Sequence, residues 1–403
     1  MRKRVVGSIC APLGFVASGV PADINGKGNN KKDVALIVSK IPAIASGVFT
    51  KNRVKAAPLL LTQDILGKGV LQAIVVNSRN ANACTGEQGM KDALAMSSFA
   101  ASCLGIDETK VAVASTGVIG MLLPMDRVTK GIKAAAEALN TQGNHDAALA
   151  IMTTDTFSKE IAIQISLGGT LVTIGGIAKG SGMVHPNMAT ILGFITTDAK
   201  ISHEALQAAL KKGNEKSFNM ISVDGDTSTN DMLLIMANGA AGNAEIQIGS
   251  SFFEEFSSAL DEVLIYLAKE IARDGEGATK LLEVCVQGAP SEEDARVAAR
   301  AVCTSLLVKT ALFGRDANWG RILCALGYSG AHFDPNKVNL HIGTVQVMQE
   351  GTPLAFDEEA ALDILSQNEV VIHADLQSGE STATSWGCDL SYDYIKINGA
   401  YRT

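Results

Sequence analysis

Residues 175–198 read GGIAKGSGMVHPNMATILGFITTD, and this stretch holds the sharpest change of character in the chain. Four glycines occur within its first eight positions and Pro186 follows, which predicts a long irregular loop. The apolar run 191–195 comes next and predicts a buried strand. Thr190 therefore stands where the loop enters the strand.

Thr190 is placed where an N-terminal nucleophile could form. A threonine hydroxyl is a poor nucleophile unless a base lies beside it, and an N-terminal residue carries its own base, the α-amine. The reference pKa of an α-amine is about 7.7–8.0, so a useful fraction is neutral near physiological pH. The amine exists only after the bond between Ala189 and Thr190 breaks. A strained turn would let the Thr190 hydroxyl attack the Ala189 carbonyl and break that bond itself.

Two other interpretations of this segment are open on the residues alone. The glycine-rich stretch is also typical of a surface loop, with Thr190 an ordinary strand residue. A phosphate-binding loop is the third, and its GxxxxGK[ST] order is missing, because Lys179 precedes Gly180 and no Ser or Thr follows the lysine directly.

Composition indicates an α/β enzyme that acts on small molecules. The 403 residues are 47% hydrophobic and 19% charged, enough for two or three domain-sized units with a substantial core. The formal net charge of −8 argues against a nucleic-acid partner, since phosphate binding needs a basic face. With 39 glycines and 5% aromatic residues, the core should consist mainly of Ala, Val, Ile and Leu.

Cysteine, histidine and apolar spacing indicate a cytoplasmic protein without metal. Seven scattered cysteines with no CxxC pair predict reduced thiols rather than disulfides. The six histidines show no HxxxH or HExxH spacing, so no metal site is predicted. The sequence contains no run of 18 apolar residues, so no membrane span is predicted. The basic start and the apolar stretch from Val5 suggest a signal peptide, but Pro12 and Gly14 interrupt the stretch, which favours a first folded strand.

Hydrophobic periodicity predicts mixed α/β structure. The predicted strands are residues 34–38, 73–76, 110–114, 338–348, 369–376 and 389–397. The predicted helices are residues 90–104, 129–139, 202–218 and 252–273.

Residues 186–199, PNMATILGFITTDA, resemble the self-cleavage signature of the ornithine acetyltransferase family, also called bifunctional arginine-biosynthesis proteins. The resemblance runs almost end to end through seven further ordered motifs: APLGF (11–15), NSRNAN (77–82), STGVIG (115–120), IMTTDT (151–156), SVDGDTSTND (222–231), DGEGATK (274–280) and GRDANWGR (314–321). The chain departs from the family pattern at Ile191, at His185 and in its tail, INGAYRT (397–403). No departure removes a reacting group.

The resemblance implies a ping-pong acetyltransferase. It implies that the chain cuts itself between Ala189 and Thr190, and that Thr190 then takes the acetyl group of N2-acetylornithine and passes it to glutamate. It implies neither cofactor nor metal, and some members of the family also accept acetyl-CoA. The α chain would be residues 1–189 and the β chain residues 190–403, assembled as a tetramer of two α and two β chains. The implied fold is α/β, with mixed sheets layered against helices and related to DmpA-type N-terminal-nucleophile aminopeptidases.

The family pattern also implies which residues form the site. Thr116 and Gly117 correspond to its oxyanion hole, where donors must face a developing negative oxygen. The implied substrate-binding residues are Thr153, Lys179, Thr190, Glu276, Asn398 and Thr403. Lys179 would meet a substrate carboxylate, the Thr153 hydroxyl would donate to the same ligand, and Glu276 would meet the ornithine amine. The acidic stretch 224–231 is interpreted as a structural turn, because the family uses no metal.

Two other functions fit the same motifs. If water instead of glutamate resolved the acetyl-enzyme, the protein would be an acetylornithine hydrolase or an aminopeptidase. If Thr190 never became N-terminal, the protein would be a non-catalytic amino-acid-binding protein.

Overall fold

The structure, a computed structural model, describes residues 2–28, 30–185 and 191–400. Its strands are β1 Lys3–Arg4, β2 Phe15–Val20, β3 Val34–Phe49, β4 Val70–Asn77, β5 Val111–Ser115, β6 Lys159–Leu167, β7 Thr170–Lys179, β8 Leu192–Thr197, β9 Ile221–Ser222, β10 Met232–Ala237, β11 Leu281–Ala289, β12 Asn339–Ile342, β13 Val345–Gln349, β14 Thr352–Pro353, β15 Glu369–Asp375 and β16 Ser381–Cys388. Its α-helices are α1 Ala57–Leu66, α2 Gly86–Leu104, α3 Met125–Glu137, α4 Asn144–Ala150, α5 His203–Lys216, α6 Ser251–Arg273, α7 Glu292–Thr304, α8 Leu306–Gly314, α9 Trp319–Tyr328, α10 Glu358–Leu365 and α11 Tyr392–Ala400.

The described strands form two mixed sheets. The first has the order β1-β6-β7-β8-β10-β3-β4-β5, with β2 also paired to β3. The second has the order β14-β13-β12-β15-β11-β16-β9. Both sheets contain parallel and antiparallel pairs, such as β8 with β10 and β7 with β8 in the first sheet. The predicted class, α/β with mixed sheets and helices, is confirmed.

The centre of the first sheet is built from both sides of the loop that follows β7. Strands β8 and β10 lie between β7 on one side and β3 on the other. Every residue of β8 and β10 is buried, as expected for strands covered on both faces. Lys179 at the end of β7 pairs with Leu192 at the start of β8. The chain therefore leaves and re-enters the sheet at the same edge.

Helices cover both faces of this sheet. Helices α1–α4 enclose one hydrophobic core against one face, with residues such as Ile37, Val113 and Phe194. Helices α5 and α6 lie on the other face, and α6 also contacts strands of the second sheet. Residues of this second core include Ile195, Leu264 and Val284. The first sheet is thus the middle of a layered structure.

Most predicted elements are confirmed with bounds that agree within a few residues, but β3 continues to Phe49 rather than ending at residue 38. Helix α5 shows the reason, because the Ser202 side chain accepts a hydrogen bond from the Ala205 N–H and so fixes the start of the helix. Ser250 caps α6 in the same way through the Phe253 N–H. Polar residues that satisfy the first free N–H groups make a helix start visible in the sequence.

Three predictions near glycines or chain ends are wrong in detail. Gly175 and Gly176 belong to β7 rather than to the loop. A Cβ at Gly175 would lie 1.9 Å from the Ser8 carbonyl oxygen, so glycine here permits a close approach of two backbones. The predicted strand 338–348 is the hairpin β12–β13, whose turn contains Gly343 at φ 55°. At the start of the chain, the strand β1 covers the basic Lys3–Arg4, a 3-10 turn covers Ser8–Cys10, and the apolar stretch from Val5 forms a strand only at Phe15, as β2.

The predicted C-terminal strand is wrong, because most of that segment is helix α11. Alternating aromatic and aliphatic residues suggested a strand. Helical spacing instead puts Tyr394 and Asn398 one turn apart, and both line the same cavity.

Among the described residues, no single helix is long and apolar enough to cross a membrane. Helices α7 and α8 together would be long and apolar enough, but the chain bends by 55° between them.

Candidate active site

A cavity of about 200 Å³ opens where the ends of β5 and β7 meet the starts of β8 and β10. The segment after α6 and helix α11 complete its wall. Its described lining comprises Ala81, Thr116, Gly117, Ile119, Thr153, Thr154, Lys179, Gly182, Met183, Ile191, Leu192, Asp224, Asp226, Ser228, Thr229, Asn230, Asp231, Glu276, Tyr394 and Asn398.

Six of the predicted site residues line this one cavity, although they are far apart in the sequence. They are Thr116, Gly117, Thr153, Lys179, Glu276 and Asn398. Ala189, Thr190 and Thr403 lie outside the described residues. Ile191, which follows Thr190 in the sequence, lines the cavity.

Lys179 connects two walls of the cavity. Its ammonium donates to the hydroxyl oxygens of Thr153 at 2.9 Å and Thr116 at 3.3 Å. Burial lowers the pKa of Lys179, and the charge of Asp155 opposes that effect. Because an ammonium can only donate, the Thr116 hydroxyl accepts from Lys179 and keeps its own proton for another acceptor.

An ion cluster beneath the cavity holds Lys179 and its neighbours in place. Lys159 is fully buried and donates to Asp155 at 2.8 Å and to Asp274 at 2.5 Å. Asp155 also accepts from the Gly180 N–H at 2.7 Å and from the Thr153 N–H at 3.0 Å. Burial alone would raise the pKa of Asp155, but Lys159, Lys179 and the Gly180 N–H outweigh it and hold the pKa at about 2. Asp155 therefore fixes Thr153 and the start of the glycine-rich loop together.

Gly117 sits where two backbone segments nearly touch. Its φ is 135°, and a Cβ there would lie 2.2 Å from the Arg79 carbonyl carbon. The Thr116 N–H donates to the Asn77 oxygen at 3.0 Å. The Gly117 N–H donates to no acceptor within the described part of the chain. Within this segment, the donors available to a ligand are thus the Thr116 hydroxyl and the Gly117 N–H.

Asn230 ties this segment to the centre of the sheet. Its amide donates to the Ser115 oxygen at 2.8 Å and to the Ala81 oxygen at 2.6 Å. Asn230 precedes β10 by two residues, so these bonds place Thr116 and Gly117 beside the strand that pairs with β8.

Glu276 forms the acidic wall of the cavity. A Glu between two glycines usually lies in a solvated turn. Glu276 is instead buried, with 8% of its surface exposed. The Asn398 amide donates to its Oε2 at 2.8 Å, and the Glu276 N–H donates to the Ser181 oxygen at 2.9 Å. A Cβ at Gly182 would lie within 2.5 Å of the Glu276 carboxylate, so a side chain at residue 182 would displace that carboxylate.

The sequence prediction missed part of the lining, chiefly Tyr394 and the acidic stretch 224–231. Asp224 does stabilise a turn, since it accepts from the N–H groups of Met183 at 2.6 Å and Val184 at 2.9 Å. Asp224, Asp226 and Asp231 also line the cavity, which the interpretation of this stretch as a structural turn did not predict. A dense run of polar residues directly before a buried strand was the available signal. Tyr394 was missed because its segment was predicted as a strand.

Within the described residues, no group of three or more His, Cys, Asp or Glu side chains could hold a metal ion.

Comparison with known proteins identifies the family. A sequence profile of the ArgJ family matches residues 16–403. The chain belongs to the ArgJ family. It is 62% identical over 399 residues to the arginine biosynthesis bifunctional protein ArgJ of Symbiobacterium thermophilum, which covers 99% of both chains. It is 55% identical over 401 residues to the protein of the same name from Caldanaerobacter subterraneus, which covers 98% of this chain and 99% of that one.

A crystal structure of an ArgJ-family member covers about half of this chain. The arginine biosynthesis bifunctional protein ArgJ of Bacillus halodurans is 46% identical, with a TM-score of 0.51. The match covers 98% of that chain but 52% of this one.

We expect the Lys159→Met substitution to lower the free energy of unfolding by about 3–5 kcal/mol at neutral pH, because it leaves Asp155 and Asp274 buried without their cation. Urea unfolding followed by circular dichroism measures this. The wild-type stabilisation by Asp155 is present above the unfolded aspartate pKa of about 3.9 and is lost as the pH falls towards its folded pKa of about 2. The difference in free energy of unfolding between the variant and the wild type should therefore become smaller as the pH falls from about 3.9 to about 2.

Lys216→Met is the matched control, since Lys216 is half exposed and its pair with Asp261 should contribute less than about 1 kcal/mol. An equal loss of unfolding free energy in the two variants would contradict the structural importance of the buried cluster.

Proposed function

We propose that this chain transfers the acetyl group of N2-acetylornithine to glutamate through an acetyl ester on Thr190. The single observation that carries the proposal is the convergence of Lys179, Thr116 and Gly117 on the cavity that Ile191 lines. Thr190 is bonded to Ile191, which lines the same cavity, and this supports residue 190 as the nucleophile. Membership of the ArgJ family supports the same reaction.

The charges of the cavity fit the proposed acetyl donor. N2-Acetylornithine carries a carboxylate at one end and an ammonium on its side chain. Lys179 offers a cation, helped by the Thr153 hydroxyl, and Glu276 offers an anion that Asn398 holds in place. Because both charges face one cavity, a substrate with both charges can be fixed at two points.

The proposed self-cleavage creates the catalytic base. The Thr190 hydroxyl attacks the Ala189 carbonyl carbon, the C–N bond breaks, and the hydroxyl proton passes to the Thr190 nitrogen, which leaves an ester on the Thr190 oxygen. Water hydrolyses the ester, which releases the Ala189 carboxylate and leaves Thr190 with a free α-amine and a free hydroxyl.

Acetyl transfer then proceeds in two halves. The Thr190 hydroxyl gives its proton to the α-amine and attacks the acetyl carbon, while the Thr116 hydroxyl and the Gly117 N–H stabilise the oxyanion. The amide C–N bond breaks and the ornithine nitrogen takes the proton. In the second half the glutamate amine attacks the ester and gives its proton to the α-amine, which returns it to the departing Thr190 oxygen. The products are ornithine and N-acetylglutamate.

The fold and the relatives support cleavage into two associated chains. Residues 1–189 would contribute β7 and β3, and residues 190–403 would contribute β8 and β10 between them. A cut at residue 190 would therefore leave both pieces in one hydrogen-bonded sheet. The half-length chain of the Bacillus halodurans structure fits a mature chain of this kind. A tetramer of two α and two β chains, with Thr403 completing the substrate site, remains part of the proposal.

The proposal includes acetyl-CoA as a second donor, because the same acetyl-enzyme would form from either donor. Release of free thiol from acetyl-CoA in the presence of glutamate tests this. The proposed setting is the cytoplasm, which suits seven scattered cysteines and amino-acid substrates.

The direct test incubates the purified protein with N2-acetylornithine, with and without glutamate, and measures ornithine and N-acetylglutamate by mass spectrometry. We expect both products in equal amounts and ornithine release that depends on glutamate beyond the first turnover. Continued ornithine and acetate release without glutamate would instead establish a hydrolase.

The Thr116→Val variant should lose about 10²–10³-fold in kcat, because it keeps the shape of the side chain but removes one oxyanion donor.

The buried ammonium of Lys179 predicts an alkaline limit to activity. Its pKa is lowered by burial, so the positive charge is present at low pH and is lost as the pH rises through a value below that of an exposed lysine. We expect KM for acetylornithine to rise on that limb, since the carboxylate loses its cation.

In the Lys179→Arg variant the guanidinium stays charged, and the rise in KM should disappear even if the overall rate is lower. An unchanged alkaline limb in this variant would show that another group titrates.

A further inference from the structure

Asp231 is a buried carboxyl with an unused oxygen at the wall of the cavity. It is 3% exposed, and its Oδ2 has no hydrogen-bond partner within the described part of the chain. Its backbone is fixed, because its carbonyl oxygen accepts from the Thr50 N–H at 3.0 Å. A buried acceptor without a partner costs free energy, which calls for a specific reason.

Neighbouring carboxyl groups do not share this property. Asp224 accepts two N–H groups at its two oxygens, Asp155 accepts from Lys159 and two N–H groups, and Glu276 accepts from Asn398. Burial raises the pKa of Asp231 well above its usual range, although Ser228 and the charge of Lys179 oppose the rise. Lys179 itself donates to Thr116 and Thr153.

The strand register places Asp231 beside the start of β8. The Met232 N–H donates to the Ile191 oxygen at 2.8 Å, and Met232 pairs with Leu192 in parallel register. Asp231 is therefore the neighbour of Ile191 on the adjacent strand. The residue bonded to the nitrogen of Ile191 is Thr190, where cleavage would create a new amine.

We propose that Asp231 is the counter-ion of the α-amine that cleavage creates at residue 190, and that it positions this amine for proton transfer. The inference rests on the proposed self-cleavage. Before cleavage the nitrogen of residue 190 is a neutral amide, so a protonated Asp231 has no ion to pair with. Cleavage turns that amide into an amine, and Asp231 gives its proton to the amine to form an ammonium–carboxylate pair.

The pair sets the basicity of the amine. A carboxylate nearby stabilises the ammonium form and so raises the pKa of the α-amine. Among the described residues, the other titratable groups that face the cavity are Lys179 from β7, Glu276 after α6, Asp224 and Asp226 from the stretch before β10, and Tyr394 from α11. Since the amine must be neutral to accept the Thr190 proton, its pKa determines the acidic limb of the activity profile.

The test is Asp231→Asn, with kcat/KM for acetyl transfer measured against pH after the fragments have been verified by intact mass. An asparagine resembles the protonated carboxyl of the precursor, so we expect cleavage to proceed. The acidic limb should move to lower pH by about one unit or more, the size of shift that one nearby opposite charge produces, and kcat should fall. Asp261→Asn is the control, because Asp261 also has a buried unpartnered oxygen but lies on α6 outside the cavity lining.

A cleaved Asp231→Asn enzyme whose acidic limb matches that of Asp261→Asn would overturn the proposal. A folded Asp231→Asn chain that stays intact would also overturn it, since Asp231 would then act in cleavage. An uncleaved wild type would instead refute the proposed function on which the inference rests.

Infrared spectroscopy gives a second test that does not need an active Asp231 variant. A protonated carboxyl band should be present in uncleaved Thr190→Ala and missing from both mature wild type and the Thr190→Ala, Asp231→Asn double variant. The same band in mature wild type would contradict the ion pair.

Discussion

The pairing of Lys179 with Leu192 is the constraint on which the site depends. Because β7 ends and β8 begins at the same edge of the sheet, the connection between them must start and finish beside the cavity. Strand β10 pairs with β8 on its other side and brings Asn230 and Asp231 to that edge. This strand register therefore brings four residues to the same cavity: Lys179, Ile191, Asn230 and Asp231.

Buried charge keeps this arrangement in one geometry. Lys159 neutralises Asp155 and Asp274, and Asp155 in turn orders Thr153 and Gly180. Such clusters contribute little net stability compared with apolar packing, but breaking one is costly. The cluster therefore defines the position of Lys179 more than it stabilises the fold. Lys179 in turn directs the Thr116 proton into the cavity.

The sequence was informative where local chemistry decides structure and uninformative where distant contacts do. Serine caps made the starts of α5 and α6 predictable, and apolar runs located β8. Six residues that the family motifs pointed to line one cavity. Gly175 was misassigned to a loop because its need for glycine comes from Ser8, more than 160 positions away. The role of Asp231 was hidden for the same reason, since it arises only from strand pairing.

The proposed mechanism requires the chain to cut itself before Thr190. The decisive measurement is intact mass and N-terminal sequencing of the purified wild type, beside Thr190→Ala expressed in the same way. We expect two wild-type fragments, one beginning Thr-Ile-Leu-Gly, that remain associated in gel filtration, and an intact variant. A wild type that stays whole while binding acetylornithine would refute self-cleavage and favour a non-catalytic binding protein.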